Sequence, residues 1–291
     1  VGEPPAVVIT GASRGLGLAS AAHLYRCGWR VVAAMRSPDS GLVALRSTAG
    51  ATAEESRLIP VQLDLTDAAS VEAAAKAIEA AVGPPRALVH NAGISAAGTV
   101  EETPIDLWQR MFATHVFGPV LLTKALLPAM RAAGQGRIVM ISSQGGVRGM
   151  PEIAAYSAAK GALERWAESL ASELAPFGLG VTVLVAGTFD TDIITDAGTS
   201  DYRDLSGPYA ALHGKVDRRG RAAMRLARPP EQFAAALASA LEDRSPFARH
   251  AVGPDARMLM VANRLLSGKA LHRVTRLVLG LPRSGALRAP E

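Results

Sequence analysis

The sequence predicts an α/β protein built on a doubly wound parallel sheet, in a single domain with a lid insertion before the last helix and a helical C-terminal extension. Three observations predict it. Short strand-like runs alternate with Ala-rich stretches of helical spacing along most of the chain. The runs AVVIT, RVVAA, RALVH and RIVMIS are continuously apolar, as strands covered on both faces must be. The 291 residues are 49% hydrophobic and 20% charged, which supplies one large core and excludes a disordered chain.

In order, the strands fall at 6–10, 30–34, 58–64, 86–90, 137–142, 180–185 and 249–253, and the helices at 15–28, 67–82, 104–133, 154–176 and 229–242. Asp67 is placed to cap the second helix. The stretch 190–228, rich in Gly, Asp, Arg and Tyr, interrupts the alternation and is expected to cover a site at the carboxyl ends of the strands. Its Ile193, Ile194, Tyr202, Leu205, Tyr209 and Leu212 are expected to line an apolar pocket. Residues 1–254 form the expected main domain and 255–291 a basic extension, whose Leu266, Leu271, Val274, Leu277, Val278 and Leu281 interleave with Arg264, Lys269, Arg273 and Arg276. That pattern fits an interfacial helix on an anionic membrane, or a helix packed on this subunit, a partner or the lid.

The net charge of +5 is unevenly placed: residues 213–291 carry 15 Lys and Arg against 6 Asp and Glu, leaving 16 against 20 for the rest. A basic half marks either a nucleic-acid or membrane surface or a solvated Arg-rich face; no helix-turn-helix signature accompanies it, so nucleic acid is not expected. The single cysteine, Cys27, excludes an internal disulfide framework and points to the cytoplasm; its Ala-rich surroundings read as core. No apolar run approaches the roughly 18 residues needed to span a bilayer, and no metal-ligand cluster stands out.

The stretch AVVITGASRGLGLASAAHL sets a strand, then Gly11, Gly15 and Gly17, then a helix. Gly11 permits a tight turn, Gly15 lets backbone approach a pyrophosphate, and Gly17 lets the helix pack on the strand. The helix N-terminus offers free N–H groups to phosphate. Further on come Asn91-Ala92-Gly93, then Ser143, then Tyr156-Ser-Ala-Ala-Lys160. In this order the chain resembles the short-chain dehydrogenases/reductases of the compact subclass over roughly residues 5 to 253.

The resemblance implies a Rossmann-type fold, a nicotinamide cofactor, a small-molecule carbonyl or alcohol substrate and a homodimer or homotetramer through the helices at 104–133 and 154–176. Gly11, Ser13, Arg14, Gly15, Leu16 and Gly17 would cradle the phosphates. Asp64 and Leu65 would meet the adenine, and Asn91, Ala92 and Gly93 the adenine-ribose side. Gly187, Phe189 and Thr191 would contact the nicotinamide end. Where NAD users of the family carry Asp, this chain has Met35 followed by Arg36. With Arg14, that predicts NADP(H) rather than NAD(H), since a 2′-phosphate favours guanidinium.

Tyr156 and Lys160 are four apart, so they share a helix face. A free Tyr has a pKa of about 10, and a nearby ammonium and an oxidised nicotinamide would both lower it. The resemblance makes Tyr156 the acid/base toward the carbonyl oxygen, Lys160 its partner and a cofactor ligand, and Ser143 the substrate-oxygen ligand. Ser142 reads as structural. His115 stands where the family has an Asn implicated in a proton relay; it serves that relay or is a core histidine. Ala186-Gly187 replaces the family's Pro-Gly, which loosens that loop. The segments SGPYAALHGKV, RPPEQFAAALASAL and RHAVGPDA resemble the hydroxysteroid and retinol dehydrogenase branch, implying a lipophilic substrate. The alternatives are a non-catalytic nucleotide-binding scaffold and an epimerase or dehydratase of the same family.

Overall fold

The computed structural model describes residues 3–52, 55–191 and 199–287. The strands are β1 (Ala6–Thr10), β2 (Arg30–Met35), β3 (Leu58–Gln62), β4 (Ala87–His90), β5 (Ser95–Ala97), β6 (Gly136–Ser143), β7 (Leu179–Ala186), β8 (Thr199–Asp201) and β9 (Phe247–Val252). Seven of them form one sheet in the order β3-β2-β1-β4-β6-β7-β9. All its pairings are parallel. The remaining two, β5 and β8, pair separately.

The helices are α1 (Gly15–Arg26), α2 (Pro38–Ala49), α3 (Ala68–Val82), α4 (Ile105–Phe112), α5 (Gly118–Ala132), α6 (Gln144–Val147), α7 (Ala154–Leu174), α8 (Ala210–Met224), α9 (Pro230–Leu241), α10 (Pro254–Leu265) and α11 (Gly268–Val278). Successive strand residues point to opposite faces. Val7, Ile9, Val31, Ala33 and Leu184 therefore feed one core, which α1, α2 and α9 close with Leu24, Leu45 and Phe233. Val8, Val32, Leu88, Met140 and Val183 feed the other, which α3, α5 and α7 close with Ile78, Leu126 and Leu163. The chain winds outward from β1 to β3 and returns to the other side through β4. That reversal opens a crevice at the carboxyl ends of β1 and β4, where ligands bind in such sheets.

Several expectations are corrected. The helix α2 went unpredicted because Ser37, Pro38, Ser40 and Gly41 read as a turn; Pro38 at its first position and left-handed Gly50 at its end (φ +70°) are its boundary signals. The long helix at 104–133 is broken by a π-helical turn at Ala113–Phe117, which displaces His115 into the core. By length and composition Ile105–Ala132 is apolar enough to cross a bilayer; Leu107, Met111, Leu122, Leu126 and Met130 on it are instead buried inside the protein. The third strand stops at Gln62, leaving Asp64 in the following loop. Cys27, expected in the core, is exposed, because α1 ends at Arg26 and the chain turns outward there. Asp67 does cap α3, accepting from the Ala69 N–H at 2.9 Å.

Candidate active site

The glycine loop is shaped by contacts a side chain would destroy. Gly11 lies at φ +69°, and a Cβ there would stand 2.8 Å from Ala92 Cα. A Cβ on Gly17 would lie 2.2 Å from the Gly11 carbonyl oxygen and 2.4 Å from Asn91 Nδ2. Asn91 Nδ2 donates to the carbonyls of Thr10 (2.9 Å) and Gly11 (3.2 Å). Asn91 therefore ties the end of β4 to the glycine loop. At the start of α1 the N-cap position is Arg14, no side chain caps the free N–H groups, and no acid sits in the first turn. This terminus is electrostatically open to an anion.

A cleft of about 1500 Å³ runs along the carboxyl ends of the strands from this loop to the lid. Every residue singled out for cofactor contact lines it, as do Ser143, Tyr156 and Lys160. Arg14 and Arg36 flank one end, exposed, and no described residue gives either guanidinium a hydrogen bond or salt bridge. Met35 is turned inward and buried against Gly41. Asp64 is held ionised below its usual range by the hydroxyl and backbone N–H of Thr66 (2.7 and 2.9 Å), with Arg36 adding to the effect.

At the other end, β6 delivers Ser143 and α7 delivers Tyr156 and Lys160. Lys160 is buried and its Nζ donates to the Ile141 carbonyl at 2.7 Å. Burial pushes its ammonium down to about 7 against the pull of Glu164. Glu164 is itself held by Ser142 Oγ (2.6 Å) and Arg249, which gives Ser142 its structural part. Lys160 Nζ stands 5.7 Å from the Tyr156 ring centroid. The phenol of Tyr156 is pushed up by burial and pulled down by the Ser143 hydroxyl. Lys160 turns its ammonium to the Ile141 carbonyl, and the Ser143 hydroxyl is what offsets burial at the phenol.

His115 does not line the cleft. It lies behind it, 1% exposed, its ring edge-on to Tyr156 with centroids 5.4 Å apart. Gly93 makes room for it: a Cβ there would meet His115 Cε1 at 2.7 Å. Nε2 lies 2.9 Å from the Ile94 carbonyl and 3.2 Å from the Ile94 N–H, while buried Nδ1 has no hydrogen-bond partner among the described residues. Burial, reinforced by Lys160, holds the imidazole well below its ordinary pKa and therefore neutral.

The lid departs most from expectation. Ile193 and Ile194 lie outside the described residues. Leu205 is exposed, Tyr202 Oη accepts from Arg110 (3.1 Å), Tyr209 Oη donates to Glu101 (2.6 Å), and none of these three nor Leu212 lines the cleft. The lid wall is instead the face of α8 bearing Val216, Gly220 and Met224, with Asp217, Arg221 and Arg225 beside them. It is amphipathic rather than purely apolar.

Three groups invisible to motif reading hold this lid and the loops beside it. His213, on α8 and buried, places Nδ1 3.0 Å from Glu152 and Nε2 2.8 Å from Glu102. Glu152 precedes α7 and is the one described non-glycine residue at positive φ (67°). Arg203 stands 3.8 Å from Glu152, 2.6 Å from Asp201 and 3.6 Å from Asp217. Asp255, the third group, accepts from the Thr188 N–H (2.7 Å) and Gln144 Nε2 (2.9 Å), clasping the loops after β7 and β6. A Cβ on Gly187 would meet Asp255 Oδ1 at 2.1 Å. The Gly-Pro-Asp at 253–255 was the available helix-start signal.

The His213 contacts carry a pH dependence. Burial pulls its imidazolium down, but the hydrogen bonds and charges of Glu152 and Glu102 outweigh this and hold it above 6.5. Only the doubly protonated ring donates to both carboxylates. A raised folded pKa contributes stability that is complete below about 6.5 and is lost as pH rises through the folded value. Thermal midpoints across that range should therefore show His213→Ala most destabilised at low pH, the gap closing as pH rises. A constant gap would refute the charged bridge.

The fold and site define a dinucleotide-dependent oxidoreductase scaffold with a Ser, Tyr and Lys at one end of its cleft. The family model of the short chain dehydrogenases matches residues 5–201. A 3-ketodihydrosphingosine reductase of Bacteroides thetaiotaomicron is 30% identical over 269 residues, covering 90% of this chain and 93% of its own. Among solved structures, a short-chain dehydrogenase from Streptomyces avermitilis superposes with TM-score 0.79 at 32% identity, covering 94% of this chain and 95% of its own. A metagenomic short-chain oxidoreductase in complex with NADP gives TM-score 0.67 at 27% identity over 85% of this chain and 96% of its own. The chain belongs to the short-chain dehydrogenase/reductase family.

Proposed function

We propose that this protein is an NADP(H)-dependent oxidoreductase that interconverts a lipophilic ketone or aldehyde and its alcohol. The observation that carries the reading is the polarity of the cleft: Arg14 and Arg36 flank one end with Met35 in place of a carboxylate, and Ser143, Tyr156 and Lys160 converge at the other. The residues fit the cofactor, since the open α1 terminus suits a pyrophosphate and the two guanidiniums suit a 2′-phosphate. When bound, NADP(H) supplies or accepts the hydride.

The protein handles the proton. In reduction Tyr156 Oη donates to the carbonyl oxygen, which Ser143 Oγ holds by a hydrogen bond; in oxidation Oη takes the hydroxyl proton back. Lys160 Nζ, anchored on the Ile141 carbonyl, stands beside the phenol with a pKa of about 7, suited to passing a proton near neutrality. The orphan Nδ1 of neutral His115 supports a part for it in replenishing that proton. Val216 and Met224 beside Asp217, Arg221 and Arg225 support a substrate with an apolar body and a polar end. The 3-ketodihydrosphingosine reductase among the relatives supports the lipophilic class. Exposed Phe117 and Leu121 support a homodimer or tetramer through the α4–α5 face, and the lone cysteine supports the cytoplasm as its location.

The test is the loss of reduced-nicotinamide absorbance with NADPH and with NADH against long-chain, steroid and aryl ketones. Turnover should favour NADPH, and Arg36→Asp with Arg14→Ala should raise the NADPH KM by about tenfold or more while leaving NADH little changed. Equal loss with both cofactors would refute the arginine assignment. Binding of NADPH without turnover on any carbonyl would favour the scaffold or the epimerase and dehydratase readings instead.

A further inference from the structure

The C-terminal helices α10 and α11 each leave an apolar stripe uncovered. On α10, Ala256 and Met260 face the core, while Met258, Val261 and Leu265, at helical spacing, are between 52 and 74% exposed. On α11, Leu271 is buried while Val274, Leu277 and Val278 are between 42 and 77% exposed. Single exposed apolar side chains need no explanation, but two uncovered stripes on neighbouring helices do. The Lys and Arg side chains around them are Arg257, Arg264, Lys269, Arg273 and Arg276. The one acid on these helices, Asp255, is turned inward to Thr188 and Gln144.

Beside the α10 stripe lies a second cleft of about 500 Å³, walled by Arg228, Gly253, Pro254, Arg257, Met258 and Val261. It pairs two guanidiniums with apolar side chains, the chemistry of a lipid phosphate and its upper acyl chain. A second copy of this chain fits poorly, because a two-fold contact would set basic rim against basic rim. Leu279, just past α11, also lines the large catalytic cleft, so the basic face and the substrate entrance adjoin.

We propose that α10 and α11 form a docking face for anionic phospholipid bilayers, with a lipid phosphate between Arg228 and Arg257 and the two apolar stripes at the headgroup–acyl boundary. Docking there sets the Leu279 edge of the substrate cleft against the membrane, from which a lipophilic substrate would be drawn. The docking itself does not rest on the redox reading, and its readout needs no turnover.

The experiment is co-sedimentation of the full chain with vesicles of phosphatidylcholine alone and of phosphatidylcholine with phosphatidylglycerol. Binding is expected to the anionic vesicles only, and to fall as salt rises. The double variant Val261→Asp, Leu277→Asp should bind at least about tenfold more weakly, and Arg257→Ala should also weaken binding. Because these side chains are exposed, thermal midpoint and circular dichroism should stay at wild-type values. Absence of binding, equal binding to both vesicle types or undiminished binding of the double variant would overturn the proposal. So would a concentration-dependent oligomer in sedimentation velocity that the double variant dissolves, since a second copy would then cover the face.

Discussion

Tyr156→Phe is expected to lower kcat/KM by about 10³-fold while leaving NADPH binding and thermal stability close to wild type. The substitution removes one hydroxyl and keeps the ring. The edge-on contact with His115, at 5.4 Å between centroids, and the surrounding burial are retained. What is lost is the hydroxyl proposed to pass the proton to and from the substrate oxygen. Titration adds a second signature. Burial raises the Tyr156 phenol, so the wild-type rate of alcohol oxidation should climb with pH as phenolate forms. The variant's residual rate should be flat over the same range. A kcat/KM within about twofold of wild type would remove Tyr156 from the chemistry and leave Lys160 as the nearest titrating group.

Gly17→Ala should unfold or empty the nucleotide end of the cleft. Its Cβ would enter a space already filled by the Gly11 carbonyl and Asn91 Nδ2, at 2.2 and 2.4 Å, the first in the glycine loop and the second at the end of β4. Neither is the free end of a flexible side chain, so β1, β4 and α1 must separate. A cost of about 3 kcal/mol, with NADPH affinity lost at least about tenfold, is expected. Gly161→Ala on α7 is the matched control. Its Cβ would meet only the Gly146 carbonyl, at 3.8 Å, and should stabilise the helix by about 0.5–1 kcal/mol. Chemical denaturation and fluorescence titration with NADPH would read both effects. A stable, NADPH-binding Gly17→Ala protein would contradict the packing of this loop.

The sequence by itself determined the parallel sheet, the glycine loop and the shared helix face of Tyr156 and Lys160. These depend on short-range regularities: continuous apolar runs for strands buried on both faces, glycines at a strand-to-helix turn, and a four-residue spacing that sets two side chains on one helix face. Only the tertiary structure decided the rest. The π-turn that buries His115 arises where the helix must pass the Gly93 turn, a contact between segments more than twenty residues apart. Asn91, read as a cofactor neighbour, lines the cleft, and it also bonds the glycine-loop backbone, because β4 lies directly beside β1. Helix α2 hid behind turn-forming residues that its packing overrides. In the lid, apolar and aromatic character alone marked Tyr202, Leu205 and Tyr209 as lining, whereas the docked helix presents Val216, Gly220 and Met224. His213, Glu102 and Glu152 come from three separated stretches of chain, and their meeting depends on how α8 closes over the sheet. Local spacing specifies which face a residue occupies; only the packing of elements specifies what that face meets.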